Sequence, residues 1–285
     1  MARITARRRV TRIDLDSGVH RVEDVLAAEE PLEIRVGGRS LAVTMRTPGH
    51  DVELAAGFLV SEGVVTAADH VVAARYCAGA TDEGLNTYNV LDVTLARDVP
   101  PPDPSLERSF YTTSSCGLCG KASIDAVRTH SHWTVDADEL VLPADLLATF
   151  PDRLREHQEV FARTGGLHAA ALFDGATGEL LALREDVGRH NAVDKVVGWA
   201  LTAGRLPLRG TVLMVSGRAS FELVQKAVMA GIGVLVAVSA PSSLACEVAD
   251  DAGLTLIGFT RHAGFNVYTG PERVVGAQET PGTRP

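Results

Sequence analysis

The sequence predicts an α/β protein with a mixed, partly parallel sheet, joined to an N-terminal β-rich lobe. Three observations point there. In the second half, short apolar runs alternate with helical patterns of about ten residues, the rhythm of βαβ units. In the first half, two strand-like runs flank Gly37-Gly38, a hairpin signal. The chain has 285 residues, 46% hydrophobic and 22% charged, which gives length enough for one large core or two fused lobes.

The elements follow in chain order. The first 12 residues hold five Arg and no acid, and a flexible basic head is expected. Two strands lie between residues 32 and 47. Residues 51–62 read as a helix: Leu54, Ala55, Phe58 and Leu59 give it an apolar face, and Gly63 stops it. Residues 89–95 alternate as a strand. Pro100-Pro101-Pro102-Asp103-Pro104 suits neither helix nor central strand and reads as a stiff connector. Residues 143–161 are helical, with Pro151 a candidate break. A buried strand over 169–173 pairs with 180–184 across Asp174-Gly175. Then come helix 189–203, strand 211–215, helix 221–230, strand 234–238, helix 244–252 and strand 255–259. The polar tail after about Gly276 is expected to be flexible. The chain thus divides into a head (1–12), a β-rich lobe (13–104), an α/β core (105–271) and a tail (272–285).

Composition narrows the function. Aromatics are 5%, too few for a platform that stacks single-stranded nucleic acid. Net charge is −9, and more acidic still once the Arg-rich head is set aside. Nucleic acid and anionic membranes are therefore poor partners, and an anionic ligand needs a local pocket. Residues 227–246 are uncharged, but Gly231, Gly233 and Pro241 punctuate them, so a membrane span is not expected. The head lacks a following apolar region, so no signal peptide is expected. The four cysteines, Cys77, Cys116, Cys119 and Cys246, do not form a disulfide framework, and a reducing cytoplasmic setting is expected.

Three segments carry chemistry. The first is Thr112-Thr113-Ser114-Ser115-Cys116-Gly117-Leu118-Cys119-Gly120-Lys121, just before a helical pattern at 122–129. Its glycines leave the sulfurs open to another molecule. A helix N-terminus and a nearby Lys lower a thiol pKa and favour thiolate. Zinc binding, a redox dithiol and a sulfur-carrying persulfide all fit. Zinc is the weakest of these, because Cys77 and Cys246 lack the spacing of a second ligand pair. The second is a set of strand ends: Ser216-Gly217-Arg218-Ala219-Ser220, Ser239-Ala240-Pro241-Ser242-Ser243 and Thr260-Arg261-His262-Ala263-Gly264. If their strands are parallel, all three lie at one sheet edge, where open α/β sheets bind ligands. Helix N-termini there, with Arg218 and Arg261, suit phosphate; helix capping alone is the plainer account. The third is the charged run from Arg184 to Lys195, in which His190 and Asp194, and Asn191 and Lys195, are spaced i,i+4. A salt-bridge network explains it about as well as a site does. His168 reads as an ordinary loop or core histidine, or as a residue lining the same pocket.

These residues resemble the FdhD family, the formate dehydrogenase accessory sulfurtransferases. The resemblance runs through Thr113 to Lys121, Thr164-Gly165-Gly166-Leu167-His168-Ala169-Ala170, Arg184 to Lys195 and Ser216 to Glu222. It continues through Ala240-Pro241-Ser242-Ser243, Phe259-Thr260-Arg261 and Phe265-Asn266-Val267-Tyr268-Thr269. It implies a cytidine-deaminase-like three-layer α/β/α sandwich. It also implies transfer of sulfur from a cysteine desulfurase to the molybdenum cofactor in its bis(molybdopterin guanine dinucleotide) form, which makes formate dehydrogenase active. Cys116 would carry the persulfide with Cys119 as companion. Phe259, Thr260, Arg261, His262, Ala263 and Gly264 would bind the cofactor, beside Ser216, Arg218 and His168. A GDP-like fragment would bind there, no catalytic metal is implied, and a homodimer is compatible with the family. The H-x-E of a deaminase zinc site is absent at His168-Ala169-Ala170. The alternative function is a non-catalytic cofactor-binding chaperone whose C-x-x-C holds zinc or a disulfide.

Overall fold

In the computed structural model, residues 3–77, 88–103 and 131–276 are described. The chain opens with β1 (Thr5–Asp14) and β2 (Gly18–Ala27), an antiparallel ribbon in unbroken register from Thr5↔Ala27 to Asp14↔Gly18. This corrects the expected flexible head. Val10 lies opposite Val22, Ile13 opposite Val19, and Arg7 pairs with Glu23. The turn is closed by Asp14, whose carboxylate accepts from the amides of Asp16 and Ser17. The partner strand lies beyond residue 12, where a count of charges does not look.

Next come β3 (Glu30–Val36), β4 (Arg39–Arg46), α1 (Asp51–Ser61), β5 (Val71–Tyr76) and β6 (Val90–Leu95). The strands form one sheet in the order β4-β3-β6-β5. Gly37 and Gly38 turn the expected hairpin at φ 57° and 82°, values that favour glycine.

The second half contains β7 (Leu142–Pro143), α2 (Ala144–Glu156), α3 (Glu159–Thr164), β8 (His168–Asp174), β9 (Leu180–Asp186) and α4 (Arg189–Thr202). β10 (Thr211–Val215), α5 (Phe221–Met229), β11 (Val234–Ala237), α6 (Ser243–Ala252), β12 (Thr255–Arg261), β13 (Gly264–Thr269) and β14 (Val274–Val275) complete it. Pro151 lies inside α2 and does not split it; the break falls at His157 and Gln158. Buried Phe150 and Leu154 hold the helix to the sheet on both sides of the proline.

Six strands make the main sheet, ordered β13-β12-β11-β10-β8-β9. β10, β11 and β12 are parallel, while β8 runs against β10 and β13 against β12. Side chains alternate between two faces, as strand geometry requires. Val212, Met214, Val234 and Val236 pack with Leu147, Phe150 and Leu154 of α2. Leu213, Val215, Leu235 and Ala237 join a core shared with α4, α5, α6, α1 and the four-stranded sheet. The first half of the chain therefore buries its apolar face in the same core as the second. Among the described residues no helix is long and apolar enough to cross a membrane.

α1 meets α4 at two glycines. A Cβ on Gly57 would stand 1.8 Å from the carbonyl oxygen of Asp194, and one on Gly198 1.8 Å from that of Glu53. Charged pairs flank this crossing. Arg184 donates from Nη2 to Glu53 at 2.8 Å, and Lys226 sits 2.7 Å from Asp194, which also accepts from Ser61. Burial works to raise the Glu53 carboxyl, but its bonds to Arg184 and His50 outweigh that and hold it down at about 2. A carboxyl lowered on folding adds stability above its ordinary value of 4.5, and the gain fades as pH falls from there toward 2. Glu53→Gln should therefore flatten the loss of stability across that interval. Urea midpoints of both proteins at pH 6 and pH 3 check this; an equal fall in both would exclude the pair as a source of acid sensitivity.

Candidate functional site

Because β10, β11 and β12 are parallel, their carboxyl ends share one edge of the sheet. β8 is antiparallel to β10, so its first residue, His168, stands at the same edge opposite Asp186, the last of β9. The edge thus gathers His168, residues 186–190, 216–220, 239–242 and 259–261. Two of the three expected strand-to-helix junctions are found, leading into α5 and α6. The third is corrected: β12 runs on to Arg261 and turns into β13, so no helix N-terminus follows it.

Ser216 ties the end of β10 to β8. Its hydroxyl accepts from the amide of Ala169 at 2.9 Å, and its own amide donates to the Ala169 carbonyl at 3.0 Å. Gly217 follows, and a Cβ there would lie 3.4 Å from Nδ1 of His168, so backbone and imidazole are near neighbours. Burial first, and then the neighbouring Arg189 guanidinium and His190, lower the His168 pKa. Arg218 is exposed. Ser242 caps α6 by accepting from Ala245, so this serine serves the capping role. In the 259–264 block, Phe259 holds φ 53° and is 42% exposed. Such a backbone is costly for a bulky residue. Thr260 is fully buried, and its hydroxyl lacks a hydrogen-bond partner among the described residues. Arg261, His262, Ala263 and Gly264 are exposed, with His262 3.8 Å from Asp152.

The charged run from Arg184 to Lys195 divides. Asp186, fully buried, contacts Lys195 at 2.7 Å and accepts from the amides of Thr47 and Gly188 and from Asn191. Asp194 serves Lys226. The i,i+4 spacings do not pair: Asn191, Asp194 and Lys195 are buried and reach off the helix, and His190 reaches Glu222. Arg189 and His190, by contrast, stand at the start of α4 on the sheet edge. His190 Nε2 lies 2.9 Å from Glu222 and 3.3 Å from the Ser220 hydroxyl. Bonding to His190 lowers the Glu222 carboxyl, against the opposing effect of burial. Arg189 and His190 fall in the charged run read as either a salt-bridge network or a site, whereas Glu222 was not singled out. The signal for the first two was the pair of basic residues at a helix start, which the i,i+4 reading absorbed.

Cys116 and Cys119, with the helical pattern at 122–129, lie outside the described residues. Cys77 and Cys246 are partly buried, and burial pushes the Cys246 thiol up. Among the described residues no group of three or more His, Cys, Asp or Glu is placed to hold a metal.

Comparison with known proteins gives the same ancestry along nearly the whole chain. The sulfur carrier protein FdhD of Streptomyces avermitilis is 64% identical over 275 residues, covering 96% of this chain and 97% of its own. That of Mycobacterium tuberculosis is 57% identical over 277 residues, covering 96% and 100%. A crystal structure from Desulfotalea psychrophila, assigned as a formate dehydrogenase accessory protein, superposes with a TM-score of 0.73 at 23% identity. It covers 96% of this chain and 100% of that one, and so shares the fold. The FdhD/NarQ family model matches residues 27–275, from the end of the ribbon to the last strand, and the chain belongs to that family.

Proposed function

We propose that this chain is a sulfurtransferase that accepts sulfur from a cysteine desulfurase and delivers it to the bis(molybdopterin guanine dinucleotide) molybdenum cofactor, in the service of formate dehydrogenase in the cytoplasm. The observation that carries the reading is the near full-length identity to proteins named sulfur carriers, in a chain that contains Cys116-Gly117-Leu118-Cys119. The sheet edge supports it. Exposed Arg218 and Arg261, the α5 and α6 N-termini and the half-buried His168 suit the phosphates of a cofactor bound there as substrate. The mixed sheet with helices on both faces agrees with a deaminase-like sandwich.

In the loading step the Cys116 thiolate attacks the terminal sulfur of the donor's persulfide. A new S–S bond forms on Cys116, the donor's S–S bond breaks, and the donor cysteine leaves as thiolate, with no net oxidation. Cys119 is the companion that resolves or protects the persulfide. Intact-protein mass spectrometry after incubation with a cysteine desulfurase and cysteine tests this. The expected result is a reductant-sensitive gain of one sulfur, abolished by Cys116→Ser and partly retained by Cys119→Ser. Loss of loading in Cys119→Ser alone would reverse the two roles. No gain, with zinc bound stoichiometrically, would favour a non-catalytic chaperone.

A further inference from the structure

β1 and β2 stand as a two-stranded ribbon with no third strand among the described residues. The ribbon meets the body at its base, where Ala27 lies 3.8 Å from the Cβ position of Gly166 and Ile4 lies 3.9 Å from that of Gly49. Two hydrogen bonds show which backbone groups of β2 face outward. The Ala28 amide donates to the Ile4 carbonyl at 2.9 Å and continues the ladder, so the even-numbered residues of β2 turn their backbone groups toward β1. The Val25 amide donates instead to the carboxylate of Asp24, at 3.0 Å. Val19, Arg21, Glu23 and Val25 therefore point their amides and carbonyls away from β1, and an unpaired edge of this kind is a template for another strand.

That outer edge is complementary to itself. Antiparallel strands must set outward-facing residues opposite one another. With a two-fold axis at Val22, Arg21 of each copy meets Glu23 of the other, His20 meets Asp24, Val19 meets Val25, and Val22 meets its own counterpart. The smallest shift that keeps outward residues opposed sets Arg21 against Arg21 in one direction and Glu23 against Glu23 in the other. Like charges directly opposite each other destabilise a sheet, so a single register is selected. Arg21 and Glu23 are exposed and Val22 is half-buried. Glu23 also accepts from Arg7 of its own ribbon, but both side chains are more than half exposed, so that bond holds it loosely. β1 offers no such edge. It carries Arg7, Arg8, Arg9 and Arg12 against a single acid, Asp14, and full antiparallel overlap sets Arg7 against Arg12. β2 has neither the Lys nor the Pro that commonly blunts an edge strand.

We propose that two copies of this chain pair through the outer edges of β2, making a continuous four-stranded sheet, β1-β2-β2-β1, about a two-fold axis at Val22. The contact is isologous: each copy gives the same strand and takes the same strand. Backbone bonds from Val19, Arg21, Glu23 and Val25 supply the attachment, and the crossed Arg21–Glu23 pairs set the register. The Val25 amide exchanges its local bond to Asp24 for the Val19 carbonyl of the other copy, which frees Asp24 to meet His20. A two-stranded ribbon is marginal by itself in water, and the pairing gives it the further strands it lacks. The proposal rests on the ribbon and is independent of the sulfur-carrier reading.

Sedimentation of the full chain over a range of concentrations tests this. Wild type should pass from monomer to dimer as concentration rises. Arg21→Glu and Glu23→Arg should each weaken the dimer about tenfold or more, because each replaces two attractive pairs with two like-charged ones. The double variant, Arg21→Glu with Glu23→Arg, restores opposite charges at both pairs and should regain the wild-type affinity. Thermal melting shows that each variant is folded. Oxidation reads the position of the contact. Val22→Cys should give a disulfide-linked dimer, since residues opposed between hydrogen-bonded pairs stand about 4.5 Å apart at Cα, within disulfide reach. Val10→Cys, on β1, should not, because two β1 strands would be separated by both copies of β2. Wild type oxidised alongside reports any linkage through the native cysteines. A wild type that stays monomeric at every concentration, single variants that dimerise as well as wild type, a double variant that stays weak, or equal linkage through Val22→Cys and Val10→Cys would each overturn the pairing.

Discussion

Lys195→Met should lower stability by about 3–5 kcal/mol, the usual cost of breaking a buried ion pair from one side. Lys195 is 1% exposed and Asp186 fully buried, with 2.7 Å between them. The ammonium also donates to the Thr47 carbonyl at 2.9 Å, so the same loss leaves that oxygen unpaired. Methionine fills the space of the stem without charge, and the Asp186 carboxylate then stands in the core without its counterion. Urea denaturation gives the measure: the midpoint should fall with little change in slope. Adding Asp186→Asn should recover part of the loss, since the double variant no longer buries a lone charge. A midpoint within error of wild type would mean that the amides on Asp186 suffice to hold it.

Gly198→Ala should be the most damaging of the small substitutions, at about 3 kcal/mol or more, beyond the common range for an overpacked methyl. The added carbon would stand 1.8 Å from the Glu53 carbonyl oxygen. Backbone, unlike a side-chain tip, has no rotamer to give way, so α1 and α4 must part. Gly57→Ala should behave alike, from the other side of the same contact. Gly166→Ala is the control: the nearest atom to its Cβ is 3.8 Å away, so the change should be small. Thermal melts of the three variants rank them directly. Equal melting of Gly198→Ala and Gly166→Ala would show that the crossing tolerates separation.

The regular elements with strong periodicity were legible in advance. α1, α4, α5 and α6 and the strands β8 to β12 fall within a few residues of their expected bounds, because each presents one apolar face or run to a core. What escaped was pairing between distant or polar segments. The Arg-rich β1 hides a strand because its partner is equally exposed, and β13 is seen only once β12 offers it an edge. The sheet edge was legible because parallel strands must end together. Its division of labour was not. Asp186 and Arg189 stand three residues apart in one charged run, yet Asp186 ends β9 buried in the core and Arg189 opens α4, partly exposed, and residue type and spacing do not show where the strand ends and the helix begins. The Cys116-Gly117-Leu118-Cys119 segment stood out as a motif, and it lies outside the described residues.

The junction of α1 with α4 also bears on how the protein is made. Ser61 and Asp194, bonded beside the glycine crossing, are 133 positions apart. As the chain leaves the ribosome, α1 and the apolar faces of β3 and β6 emerge long before the helix that covers them. At roughly 5–20 residues per second that interval is on the order of ten seconds. During it, Leu32, Ile34, Leu54, Leu59 and Leu91, all of which end in the core, have no partner from the second half. The nascent first third therefore carries apolar faces without their final cover for an interval set by the distance along the chain between two glycines that must touch.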